Sequence, residues 1–92
     1  MNLDYTSQPL DLRSVQIQDA FWGAFQKRVL TQVIPYQWEA LNDRIPEAEK
    51  SYCMQNFRIA AGLEKGEFQG FVFQDSDFSK WIEAVGYALV LQ

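Results

Sequence analysis

Large apolar side chains recur at every fourth position from Phe21 through Phe25 and Val29 to Val33, with Trp22 and Leu30 widening the stripe. On an otherwise polar background that spacing predicts an amphipathic helix of about four turns, opened by Asp19 as its N-cap. Pro35 has no N–H to donate and disfavours helical dihedrals at Ile34. The helix is therefore expected to end or kink there, before Tyr36, Trp38 and Leu41 resume an apolar face. Asn42-Asp43 and Pro46 mark the exit. Upstream, Val15 and Ile17 alternate with polar residues, the period-2 mark of a short strand or extended edge near residues 12–18.

Residues 45–51, IPEAEKS, are polar and read as a connecting loop. Met54, Phe57, Ala60 and Ala61 then predict a second, shorter helical face. The run GLEKGEFQG carries three glycines in nine residues and reads as a turn region anchored by Phe68. In the last segment Phe78, Trp81, Ile82, Val85, Ala88 and Leu89 form one stripe, while Ala84, Val90 and Leu91 make the opposite side apolar as well. That pattern predicts a helix over 78–91 buried nearly all round. With ALVLQ in place of a stop signal, it is expected to pack on helices of a larger domain, or to pair with itself or a partner.

Composition narrows the chemistry. Ninety-two residues with 48% hydrophobic and 22% charged side chains suit a small packed domain or a piece of one. A net charge of −4 gives no electrostatic reason to approach phosphate backbones or anionic lipid, so neither nucleic acid nor membrane is an expected partner. No basic-then-apolar leader opens the sequence and no apolar run approaches the ~20 residues that span a bilayer, so the expectation is a soluble, cytoplasmic chain. The chain has no histidine and one cysteine, Cys53. Without a neighbouring histidine, Cys53 reads as an inert, half-buried thiol.

Asp75-Ser76-Asp77 is the remaining constellation with chemical content. It starts like a calcium loop, but Lys80 stands where that loop needs glycine and Gly86 where it needs a bidentate glutamate. Two acids two apart on an extended segment share a face and so suggest a carboxyl pair of glycosidase type. The competing reading is that Asp75, Ser76 or Asp77 caps the helix starting near Phe78. Glu47 and Glu49 read as solvated loop charges. Trp22, Trp38 and Trp81 have the ring faces that stack on sugars, but at helical spacing they read first as core. Gly62, Gly66 and Gly70 lack the strand–loop–helix setting of a phosphate-binding loop.

DAFW at 19–22, VIPYQWEALND at 33–43, NFRIAAG at 56–62 and FQGFVFQDSDFSKWIEAVGYAL at 68–89 together resemble glycoside hydrolase family 127 at its amino-terminal end. The resemblance implies β-L-arabinofuranosidase activity in a much longer protein. It further implies an (α/α)6-barrel catalytic domain, with residues 1–18 as an extended lead-in and 19–92 as the first helices of an incomplete barrel. A retaining mechanism is implied too, with a cysteine nucleophile held on zinc by two further cysteines and a glutamate, and a second glutamate as acid/base. None of those groups maps onto this sequence, so no residue here is expected to be catalytic or to bind metal. Cys53 lies outside the family's cysteine motif. Because loops at one end of such a barrel line the sugar pocket, Gln74, Asp75 and Asp77 become candidate substrate contacts, with helix capping still accounting for the same residues. Two functions follow as expectations: an amino-terminal, non-catalytic part of a glycoside hydrolase whose partner is a carbohydrate, or a free-standing helical module that dimerises or binds a partner through helix 78–91.

Overall fold

Asp19 opens the first helix as its spacing predicts, its carboxylate accepting the Trp22 N–H. In the computed structural model, which describes residues 7–91, helix α1 spans Ala20–Arg28. It passes without a break through a π-helical turn, Val29–Val33, into α2, Ile34–Leu41. The expected end at Pro35 is thus a change of helix type. Proline leaves the carbonyl four residues back without an α-helical donor and crowds it with its ring. The chain widens by one residue per turn to accommodate this, and the Ile34 N–H reaches back five residues to the Val29 carbonyl. The Thr31 hydroxyl donates to the Lys27 carbonyl at 2.8 Å in the same stretch. Such a bulge turns the helical face, so the Trp38/Leu41 face of α2 does not continue the Phe21/Phe25 face of α1.

Leu41 is buried, Asn42 closes α2, and Asp43 takes a left-handed φ of 60°. A turn-rich loop follows, as the polar run predicts. It ends at Tyr52, also left-handed, and α3 runs Cys53–Ala60. All three glycines of the following turn region have positive φ, from 80° to 151°, which explains why glycine recurs there. Asn56 ties this region down: its side-chain NH2 donates to the Gln69 carbonyl at 2.7 Å, and its carbonyl accepts the Gln69 N–H at 3.0 Å. Phe68, expected as the anchor, is largely exposed, so the fixed point is the Asn56–Gln69 pair.

Helix α4 spans Gln74–Leu91 and packs on both α2 and α3. Trp81 stacks on Trp38 with ring centroids 4.8 Å apart, and its Nε1–H donates to the Ile34 carbonyl at 3.0 Å. Phe78 lies 6.3 Å from Trp81 on one side and 5.1 Å from Phe57 on the other. This aromatic row is the seam that joins the helices.

One further expectation is corrected. Residues 12–18 form no strand: Leu12–Ser14 is a 3₁₀ turn capped by Asp11, and Val15, although extended, has no ladder partner among the described residues. Residues 1–6 of the expected lead-in lie outside the described residues. Helix α4 is packed on one side only, leaving Ile82, Leu89 and Val90 exposed, as are Phe21, Trp22 and Phe25 on α1. The Cα radius of gyration is 17.9 Å, against about 12 Å for a compact chain of this length. The described chain is an open helical layer, mainly α, with apolar faces in solvent.

Candidate functional site

The amino-terminal turn of α4 is where the candidate residues fall, and it begins four residues earlier than the apolar stripe predicts. Gln74, Asp75 and Asp77 are inside the helix, so neither aspartate is its N-cap. They contribute negative charge to its positive end instead. One Asp75 oxygen accepts the Ser76 N–H at 3.0 Å, and the Ser76 hydroxyl donates to the Phe73 carbonyl at 2.6 Å. A helical turn separates residues i and i+2 by about 200°, so Asp75 and Asp77 point to different sides. The carboxyl-pair reading, which needs an extended segment, is corrected on that ground.

The three side chains therefore have different surroundings. Asp77 is exposed and lines an open groove of about 480 Å³ between α2, α4 and the 45–51 loop. Leu41 and Trp81 supply its apolar floor; Gln37, Glu49, Ser51 and Lys80 bring amide, carboxylate, hydroxyl and ammonium groups to the same space. Trp38 stacks on the Trp81 ring with centroids 4.8 Å apart, and Phe78 lies farther off at 6.3 Å, so Trp81 enters the groove as part of an aromatic cluster. Of the three tryptophans Trp22, at 56% exposure, is the most open to solvent, while Trp38 and Trp81 are half-buried.

Gln74 and Asp75 instead line a smaller hollow of about 190 Å³ against α3, together with Cys53, Phe57, Phe68 and Val72. Gln74 is only 7% exposed, and its Oε1 has no hydrogen-bond partner among the described residues. Its amide lies against Gly70, where a Cβ would come within 2.5 Å of Oε1. Sequence pattern gave no warning that Gln74 is interior, because it precedes the apolar stripe.

The rigidity of this corner comes from Asp43. One carboxylate oxygen accepts the Ser51 N–H at 2.6 Å and the other the Tyr52 N–H at 2.9 Å. The αL turn at Tyr52 exposes these two N–H groups side by side, and the carboxylate fills them as a bound anion would. The loop carrying Glu49 and Ser51 is thereby fixed to the end of α2. Sequence reasoning read Asp43 as a helix exit and Glu49 as a solvated charge. Glu49 is indeed exposed, but on the groove.

Cys53 is more deeply buried than expected, at 1% exposure. Its thiol donates to the Gln74 carbonyl at 3.1 Å. Burial pushes its pKa up, and Asp77, Asp75 and Asp43 push it further, against a smaller opposing effect of the Phe78 N–H. A thiol held protonated is neither a nucleophile nor a metal ligand. No group of three potential metal ligands stands together among the described residues, and a chain with one cysteine and no histidine cannot supply a Cys3Glu zinc set. A zinc ion does not fit these residues, and no chemistry is derived through one.

Comparison with known proteins bears on what such an arrangement serves. Residues 14–92 match the family described as beta-L-arabinofuranosidase, GH127 catalytic domain. A non-reducing end beta-L-arabinofuranosidase of Bifidobacterium longum subsp. longum is 39% identical over 88 residues, covering 83% of this chain and 13% of that protein. The crystal structure of a GH127 beta-L-arabinofuranosidase from Geobacillus stearothermophilus T6 superposes with a TM-score of 0.74 at 61% identity, over 78% of this chain and 11% of that one. The chain thus spans about an eighth of the length of these relatives.

Proposed function

The chain belongs to the GH127 beta-L-arabinofuranosidase catalytic-domain family, and from that premise we propose that it forms the amino-terminal part of a helical barrel that hydrolyses β-L-arabinofuranosides. The observation that carries this reading is the match over residues 14–92 together with the 61% identical solved relative, whose fold this chain reproduces over 78% of its length.

On this reading the residues here hold substrate and do not break its bond. Asp77 and Lys80 on α4, with Gln37 and Glu49 on the other walls of the groove, offer acceptors and donors for sugar hydroxyls above an apolar floor. Nucleophile, acid/base and any zinc belong to parts of the polypeptide other than these 92 residues. The exposed faces of α1 and α4 are the surfaces on which further barrel helices pack. The isolated chain has no hydrolytic activity.

Assay of p-nitrophenyl β-L-arabinofuranoside with the polypeptide as its gene encodes it, beside the 92-residue chain, tests the proposal. Turnover by the former and none by the latter is the expected result. Turnover by the short chain would overturn its non-catalytic role, and inactivity of the encoded polypeptide toward arabinofuranosides of any linkage would overturn the substrate class. The exposed Ile82, Leu89 and Val90 face favours one other reading, a free-standing module that pairs through α4. A cooperatively unfolding dimer of the 92-residue chain, found in cells at that length, is its signature.

A further inference from the structure

Neither aspartate in the first turn of α4 caps that helix, and the contacts at its start come from α3. Cys53 and Asn56 lie three residues apart on α3 and so share a face. From that face the Cys53 thiol donates to the carbonyl of Gln74, the first residue of α4, at 3.1 Å. Asn56 holds the chain that leads into α4: its amide donates to the Gln69 carbonyl at 2.7 Å and accepts the Gln69 N–H at 3.0 Å. One side chain thereby supplies both halves of a main-chain pairing and fixes Gln69 against α3. The next residue, Gly70, lies directly against the Gln74 side-chain amide, with no room for a Cβ between them. Asn56, Gln69, Gly70 and Gln74 form an unbroken series of contacts from α3 into the turn that carries Asp75 and Asp77.

Asp77 lines the groove together with Gln37 and Glu49. The wall that bears Glu49 is fixed by Asp43, whose carboxylate accepts the Ser51 and Tyr52 N–H groups. Asn56 is the counterpart on the Asp77 side. It lines the hollow beside α3 and has no place on the groove, so any influence on a ligand there passes through α4. We propose that Asn56 is a positioning residue, which sets where α4 begins and thereby holds Asp77 at the place a substrate in the groove requires. The inference rests on the arabinofuranoside reading of that groove given above. With Gln69 released, Gly70 no longer braces Gln74 and the first turn of α4 is free to shift; groups that hold a substrate tolerate only about 0.5 Å of such movement.

The test uses the polypeptide as its gene encodes it, with p-nitrophenyl β-L-arabinofuranoside as substrate. Asn56→Ala removes both bonds to Gln69 and is expected to raise KM about tenfold while kcat stays within about twofold, because Asp77 holds substrate and does not break its bond. A merely structural asparagine would do the reverse: a smaller folded fraction lowers the apparent kcat and leaves KM where it was. Asn56→Asp keeps the acceptor for the Gln69 N–H and loses only the donor, so it should raise KM by a smaller factor, and it carries the test if Asn56→Ala does not fold. The decisive comparison is the Asp77→Ala background, in which Asn56→Ala is expected to raise KM no further. Equal increases in both backgrounds, or a lower kcat with unchanged KM, would overturn the proposal while leaving the groove reading intact. An unchanged KM in Asp77→Ala alone would overturn the groove reading and this inference together. Hydrogen exchange separates the two if the polypeptide cleaves no arabinofuranoside: in Asn56→Ala the amides of Gln69 and of residues 75–80 should exchange faster together. Acceleration at Gln69 alone would mean that α4 keeps its place without Asn56, and the positioning role would fall.

Discussion

Replacement of Asp43 isolates the contact that fixes the groove wall. Its carboxylate accepts two N–H groups, from Ser51 and Tyr52, at 2.6 and 2.9 Å. A hydrogen bond to a charged group is worth about 1.5–3 kcal/mol, and partial exposure of Asp43 puts these at the lower end, so the pair contributes about 3 kcal/mol. Asp43 also holds φ at 60°, where alanine is penalised by a further ~1 kcal/mol and glycine is not. Asp43→Ala should therefore cost about 4 kcal/mol and Asp43→Gly about 3 kcal/mol. Asp43→Asn keeps one acceptor and tolerates the left-handed turn, so its loss should be about 1–2 kcal/mol. Urea unfolding followed by tryptophan fluorescence measures the ranking. Hydrogen exchange gives a local measure: in Asp43→Ala the Ser51 and Tyr52 amides should exchange on the order of 100-fold faster, since 1.4 kcal/mol is a factor of ten. Equal losses for Asn and Ala, or a loss below about 1 kcal/mol for Ala, would refute the view that this carboxylate organises the loop.

The seam between α2 and α4 should respond to Trp81→Phe, which keeps a ring but deprives the Ile34 carbonyl of its donor, with a loss of about 1–2 kcal/mol in urea unfolding; Trp81→Ala should lose about 3–5 kcal/mol. Gly70→Ala should destabilise by about 2 kcal/mol or more through positive φ and collision with Gln74. Combining it with Gln74→Ala should recover the collision part and leave the φ part, a non-additivity that a double-mutant cycle reads directly. For Cys53 the folded pKa lies above the ordinary value of 9.0, so the folded state keeps its proton longer than the unfolded chain. Its stabilising contribution is full below pH 9.0 and is lost as pH rises through the folded pKa. The stability difference between the native chain and Cys53→Ala should be flat to about pH 8 and shrink above pH 9, and thiol labelling at pH 8 should require unfolding.

Helix existence was legible because period-four apolar spacing and the Asp19 cap are local properties. The corrected features depend on partners that local pattern does not contain. Pro35 predicts a break, yet a π turn accommodates the proline and keeps the helix continuous, bringing Trp38 to its stack on Trp81, a partner that lies 43 residues away in sequence. The start of α4 lies at Gln74 because Gln74 is held inside by Cys53 and Gly70, long-range contacts absent from any window around Phe78. Val15 has strand-like dihedrals, but a strand exists only with a ladder to join. The Asp77 groove draws on three separated segments, of which only FQDSD stands out in sequence. The family resemblance, by contrast, was readable from four ordered motifs and is matched by the comparisons over residues 14–92.

The central claim is that these helices are one part of a larger arabinofuranoside hydrolase, with α1 and α4 covered by its other helices. Capture of the native polypeptide from its source cell with an antibody to residues 45–52, followed by intact mass and an arabinofuranosidase assay on the same material, tests it most directly. The account predicts a mass several times 10.7 kDa that carries the activity. Recovery of a 10.7 kDa species as the sole product, inactive and dimeric, would contradict it.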